Sequence, residues 1–189
     1  MNKAYSVAPI SKNELARGFI YCRDNSERLI KDAEILYNYG SYLSAISNCR
    51  LGNEETAKAL MIWSASTYKD DELDKWDWFY RSLFDHKEKL RVLEYQLHWE
   101  SYEDKDKFHE IIGNLMRTRE HTIYVGFNEY DGTFNMPGEF FDDLPETSRI
   151  ELTYSQKIHQ LVFLVEYLTG KSTVEQIVDA FNVNFHQET

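Results

Sequence analysis

The sequence predicts an all-α helical bundle, and three observations carry that expectation. Apolar residues recur at helical spacing through successive segments, turn-formers are scarce, and large packing side chains are abundant. The 189 residues include only 3 Pro and 8 Gly, against 13 Tyr, 11 Phe and 4 Trp. Such a chain buries its large groups on helix faces rather than in many short strands joined by turns. The length suits one domain, residues 1 to 189, built round one hydrophobic core.

Ser11 with Glu14 three residues on has the form of a capping box, and Leu15, Phe19, Cys22, Leu29, Ala33, Leu36 and Tyr37 follow at helical spacing. A first helix is expected over about residues 12 to 38. Tyr39-Gly40-Ser41 ends it with a C-cap glycine, after which Leu43, Ala45, Ile46, Cys49, Ala57, Leu60 and Met61 predict a second helix over about 42 to 67. The short link makes the two an antiparallel hairpin. Polar residues 69 to 72 open a third segment, in which Trp76, Trp78, Phe79 and Tyr80 lead into Leu83, Phe84, Leu90, Leu93 and Leu97. It reads as one helix to about residue 100. After a charged break at 102 to 107, Phe108, Ile111, Ile112, Leu115 and Met116 mark a fourth amphipathic helix, which completes a four-helix core.

From 124 to 147 the character changes, because Gly126, Gly132, Pro137, Gly138 and Pro145 interrupt aromatic and acidic residues. A long irregular loop is expected, and loops of that length often carry function. Ser148 then opens a helix running to Gly170, and Ser172 with Glu175 forms a capping box ahead of a short last helix. The bundle is thus four core helices plus C-terminal helices.

Composition excludes several function classes. The formal charge of −11 disfavours broad electrostatic binding to nucleic acid, so any RNA contact must be local. Cys22 and Cys49, the only cysteines, lack the spacing of a zinc site or a disulfide framework, which fits a reducing cytoplasm. No apolar run approaches the roughly 20 residues that cross a bilayer, and residues 1 to 10 offer too short an apolar stretch for a signal peptide. The expectation is a soluble, cytoplasmic protein without membrane partner, cofactor or metal.

The sharpest local feature is Arg81-Ser-Leu-Phe-Asp-His86, followed by Lys87 and Lys89. A histidine exchanges protons near neutral pH, and a guanidinium pairs with phosphate oxygens and stabilises the charge that builds on them. Together they suit cleavage of a phosphodiester beside a ribose 2′-hydroxyl, with no metal required. On an unbroken helix the two side chains would diverge by about 140°. Sharing one site therefore requires a helix break, the reach of arginine, or a second subunit. The competing structural explanation is that Asp77 and Asp85 hold Arg81 in ordinary helix-surface ion pairs.

Four blocks in order add a family likeness. The segment from Arg28 to Ala45 ends one helix at Gly40 and begins an alanine-containing one; Asn53-Glu54-Glu55-Thr56-Ala57-Lys58-Ala59 follows; Phe79 to Leu90 carries His86, Lys87 and Lys89; and Arg117-Thr-Arg119-Glu-His-Thr-Ile-Tyr124-Val leads into a Gly/Pro loop. Over roughly residues 28 to 137 this resembles the AbiV abortive-infection family of the HEPN superfamily. HEPN nucleases carry an arginine separated by four to six residues from a histidine, a spacing that Arg81 and His86 fit. Ser82 departs from the Asn, Asp or His that often follows the arginine. The resemblance implies a HEPN-type bundle and a dimeric, metal-independent, toxin-like endoribonuclease of phage defence, with the two motifs meeting across the subunit interface. It also implies release of activity by an infection cue such as a phage-encoded protein, for which the 124 to 147 loop is a candidate docking element.

The remaining candidates support that site or compete with it. Glu55 and Lys58 are spaced as a helix-face ion pair, or Glu55 orients Lys58 or Arg81 within the site. Arg117, Arg119 and Tyr124 suit phosphate contact and base stacking, or anchor the loop. The other function class in play is a non-catalytic HEPN dimer serving as a protein- or RNA-binding module.

Overall fold

The computed structural model describes residues 8–98, 126–128, 133–137, 141–163 and 172–184. Among them are α1 Lys12–Asn38, α2 Tyr42–Ala65, α3 Leu73–Phe84, α4 His86–His98, strands β1 Gly126–Asn128 and β2 Thr133–Asn135, α5 Leu144–Val162 and α6 Val174–Asn184. The helix expected near residues 108 to 116 lies outside the described residues, as do Arg117, Arg119, His121 and Tyr124.

The α1–α2 hairpin follows from its caps. Ser11 Oγ accepts from the Glu14 amide at 3.3 Å and starts α1. Gly40 ends it with φ of 74°. Its amide donates to Tyr37 O and the Ser41 amide to Leu36 O, both at 2.9 Å, the paired bonds of a Schellman turn. A left-handed backbone there strains any residue with a Cβ. The returning α2 then lies close against α1 at Gly52, where a Cβ would meet Ile30 Cγ1 at 3.1 Å.

α2 is the central helix, packed against α1, α5, α4 and α3. Leu15, Phe19, Met61, Trp76, Phe163 and Phe181 anchor the main core, which draws in α1, α2, α3, the end of α5, and α6. Phe19 meets Phe163 edge-on at 5.4 Å and Trp63 packs on Phe181 at 5.2 Å, the offset geometries aromatic quadrupoles prefer. In the aromatic run of α3, Trp76 and Phe79 are fully buried, so these two serve packing, and Trp76 Nε1 donates to Lys69 O at 3.0 Å.

A second, polar seam crosses α1, α2 and α5. Thr56 Oγ1 donates to Gly52 O at 3.1 Å. Its proton is thereby committed, so Ser26, 2.7 Å away, donates to Thr56. Ser26 Oγ then accepts from His159 Nδ1 at 3.0 Å, which selects the Nδ1-protonated neutral imidazole. Burial pushes the His159 pKa down to about 4, with Glu27 opposing that shift and Arg23 and Lys31 adding to it.

Four expectations change in detail. The single third helix is two, separated at Asp85, whose backbone is extended at φ −94° and ψ 112°. The 124 to 147 segment contains the antiparallel pair β1 and β2, with Phe127 opposite Phe134. α5 starts at Leu144 rather than Ser148, because Asp143 Oδ1 accepts from the Glu146 amide at 3.0 Å and Pro145 sits in the first turn. The last helix is capped by Thr173 and Gln176, each side chain bonding the other's backbone amide, rather than by Ser172 and Glu175.

Candidate functional site

The break at Asp85 is what brings the candidate residues together. Asp85 Oδ1 accepts from the amides of Lys87 at 2.8 Å and Glu88 at 3.2 Å, so the side chain that ends α3 also caps α4. Arg81 and Phe84 stand in the last turn of α3, and His86, Lys87 and Lys89 in the first turns of α4. Arg81, Phe84, Asp85, His86 and Lys87 line one open depression of about 390 Å³. The 140° divergence of an unbroken helix does not apply. Asp85→Ala should cost about 1 kcal/mol of stability by loss of the cap. Chemical denaturation measures that cost, and loss of function beyond it reports displacement of His86.

α2 supplies the group beneath the depression. Glu54, only 4% exposed, places Oε2 2.6 Å from His86 Nδ1 and 3.4 Å from Lys89 Nζ. His86 and Lys89 are three apart on α4, and so converge on that oxygen from one helix face. A carboxylate accepts, so the Nδ1 proton is the donor and Nε2 becomes the atom for proton exchange. Lys89, 5% exposed, balances a charge that would otherwise be buried beside a single imidazole. It underpins the histidine from within rather than meeting a ligand at the surface.

Glu55 and Lys58 form the helix-face pair that their spacing allows, at 2.7 Å. Glu55 also neighbours Cys22, whose thiol is pushed up to about 12 by burial first and then by that carboxylate. Cys49 is likewise pushed up to about 12, chiefly by burial, so both thiols stay protonated. The carboxylate that orients the imidazole is Glu54, to which spacing assigned no part in holding His86. A signal was present: Glu54, Ala57 and Met61 share the buried stripe of α2, and an acid on such a stripe demands a partner.

Arg81 makes one of the two surface pairs foreseen for it. Its guanidinium lies 2.6 Å from Asp77, with the arginine side chain 73% exposed. Asp85 is instead engaged in capping. A solvent-screened pair of this kind is worth about 0–1 kcal/mol, so the guanidinium is readily transferred to a phosphate. Ser82 is buried in α3 and does not line the depression, which leaves the atypical residue of the motif in a packing role. Among the described residues no group of three or more His, Cys, Asp and Glu is arranged to hold a metal ion. No helix among them is long and apolar enough to cross a membrane.

The family model HEPN_AbiV, described as AbiV, matches residues 14–154. That span covers α1 from Glu14 onward, α2 to α4, and α5 as far as Tyr154. No curated protein and no solved structure matches the chain. Over well more than half its length, and with the all-α HEPN-type bundle just described, the chain belongs to the AbiV family of HEPN proteins.

Proposed function

We propose that this protein is a toxin-like, metal-independent endoribonuclease of abortive infection, in which His86 moves protons and Arg81 binds the scissile phosphate. The observation that carries the reading is the Glu54-oriented imidazole opening onto the same depression as Arg81 and Lys87. His86 Nε2 takes the proton of a ribose 2′-hydroxyl as that oxygen attacks the neighbouring phosphorus. The bond to the 5′-oxygen breaks, and the leaving oxygen receives a proton, giving a 2′,3′-cyclic phosphate and a 5′-hydroxyl. Arg81 leaves Asp77 and neutralises the charge gathering on the phosphoryl oxygens, with Lys87 beside it.

One imidazole cannot be base and acid at once, so a second copy supplies the second histidine. Homodimerisation completes the site, as HEPN precedent implies. An infection cue releases the activity, and a phage-encoded protein is the proposed activator.

The test is cleavage of cellular RNA in the presence of a chelator, with and without extract of phage-infected cells. Wild type should cut when the extract is present. Arg81→Ala should fold normally and lose about 10²-fold in rate, the typical cost of removing one group that stabilises developing charge. Light scattering should report a dimer. The second reading, a non-catalytic dimer that binds protein or RNA, draws support from the existing Arg81–Asp77 pair and the −11 charge. It requires that no condition yield cleavage while a partner still co-purifies.

A further inference from the structure

We propose that Phe84 is a base-stacking residue, which holds one unpaired nucleobase beside the scissile phosphate and so restricts the substrate to single-stranded RNA. The proposal rests on the nuclease reading above. Phe84 is the last residue of α3 and is 83% exposed, whereas Trp76 and Phe79 on the same helix are buried. The extended Asp85 that follows turns the chain into α4. The ring thus stands at the break, in the depression shared with Arg81, His86 and Lys87.

An apolar ring flanked by two cations and an imidazole matches the chemistry of a nucleotide. The π-face takes the base, the cations take the phosphates on either side, and the histidine reaches the ribose. A base held in a duplex has both faces already stacked on its neighbours, so only an unpaired one is free to lie on Phe84. The exposed Arg81 and Lys87 beside the ring match a polyanion as its occupant. The ring acts by positioning and takes no part in proton transfer.

Binding is read with a single-stranded oligoribonucleotide carrying 2-aminopurine, whose fluorescence is quenched by stacking, in the His86→Ala background to prevent cleavage. Phe84→Ala should abolish the quenching and weaken binding about tenfold, and Phe84→Trp should retain both. An oligonucleotide abasic at one nucleotide should lose about the same affinity for the Phe84-containing protein and little more for Phe84→Ala. Equal binding by Phe84→Ala, or an abasic loss that persists in it, overturns the proposal. So does light scattering in which Phe84→Ala turns a dimer into a monomer, since the ring would then be a subunit contact.

The two readings fail separately. Base-dependent stacking on Phe84 without cleavage under any condition removes the nuclease and leaves an RNA-binding platform. His86-dependent cleavage unchanged in rate and KM by Phe84→Ala keeps the nuclease and removes the platform. Absence of binding by the Phe84-containing protein both with and without extract of phage-infected cells removes both.

Discussion

His86→Ala should reduce RNA cleavage by between about 10² and 10⁴-fold while leaving the bundle intact, the span expected when an acid–base group is removed. The imidazole is partly exposed at the start of α4 and contributes no core packing, so its loss acts on chemistry rather than folding. Glu54 provides the complementary test. Glu54→Gln keeps the shape but offers His86 an amide in place of a carboxylate, so the fixed Nδ1–H tautomer is lost. The rate should then fall by a comparable factor, as when the carboxylate behind a catalytic histidine becomes an amide. Glu54→Ala is less informative, because it strands the buried Lys89 and should cost about 3–5 kcal/mol of stability. Pairing each activity measurement with urea denaturation separates the two effects. Full activity in both His86→Ala and Glu54→Gln would place the chemistry elsewhere in the molecule.

Acid should destabilise this protein through His159. The folded chain keeps that imidazole neutral down to about pH 4, whereas an unperturbed histidine takes up its proton near 6.5. Between those values the unfolded state binds more protons, so stability falls as pH falls. It should be intact above pH 6.5, decline by up to about 3 kcal/mol on reaching pH 4, and then lose no more from this group. The cause is chiefly desolvation in the seam between α1, α2 and α5, where Nδ1–H is committed to Ser26. The carboxylates of Glu72, Glu146 and Glu175 are held below their ordinary 4.5, so their contribution starts to be lost only as pH falls toward 4.5, at the acid end of this window. Urea denaturation at half-unit pH steps should show a slope between 6.5 and 4 in wild type that is much flattened in His159→Gln. An equal slope in both proteins would assign the acid sensitivity to other groups.

Where the chain's periodicity and caps are local, the reading from sequence was close to the observed fold. Ser11 and Gly40 delimit α1 because a hydroxyl acceptor and a residue free of Cβ strain act within one turn of their own position. Of the aromatic run Trp76, Trp78, Phe79 and Tyr80, the fold buries Trp76 and Phe79, a choice that side-chain size does not make. Boundaries drifted where two capping residues compete nearby, as Asp143 does with Ser148 and Thr173 with Ser172. Each candidate would serve amides two or three residues beyond itself, as Asp143 serves Glu146 and Thr173 serves Gln176, and the sequence does not rank the alternatives.

Residue types and spacing by themselves determined the helical hairpin and the apolar faces, and the resemblance to the AbiV family added the candidacy of Arg81 and His86. Only the tertiary structure decided that Asp85 divides the third helix, that Glu54 reaches His86, and that Phe84 stays outside the core. The reason is one of range. Helix periodicity and capping are set by neighbours a few residues away, whereas the partner of a buried carboxylate is chosen by how α2 and α4 pack, across 32 residues of chain.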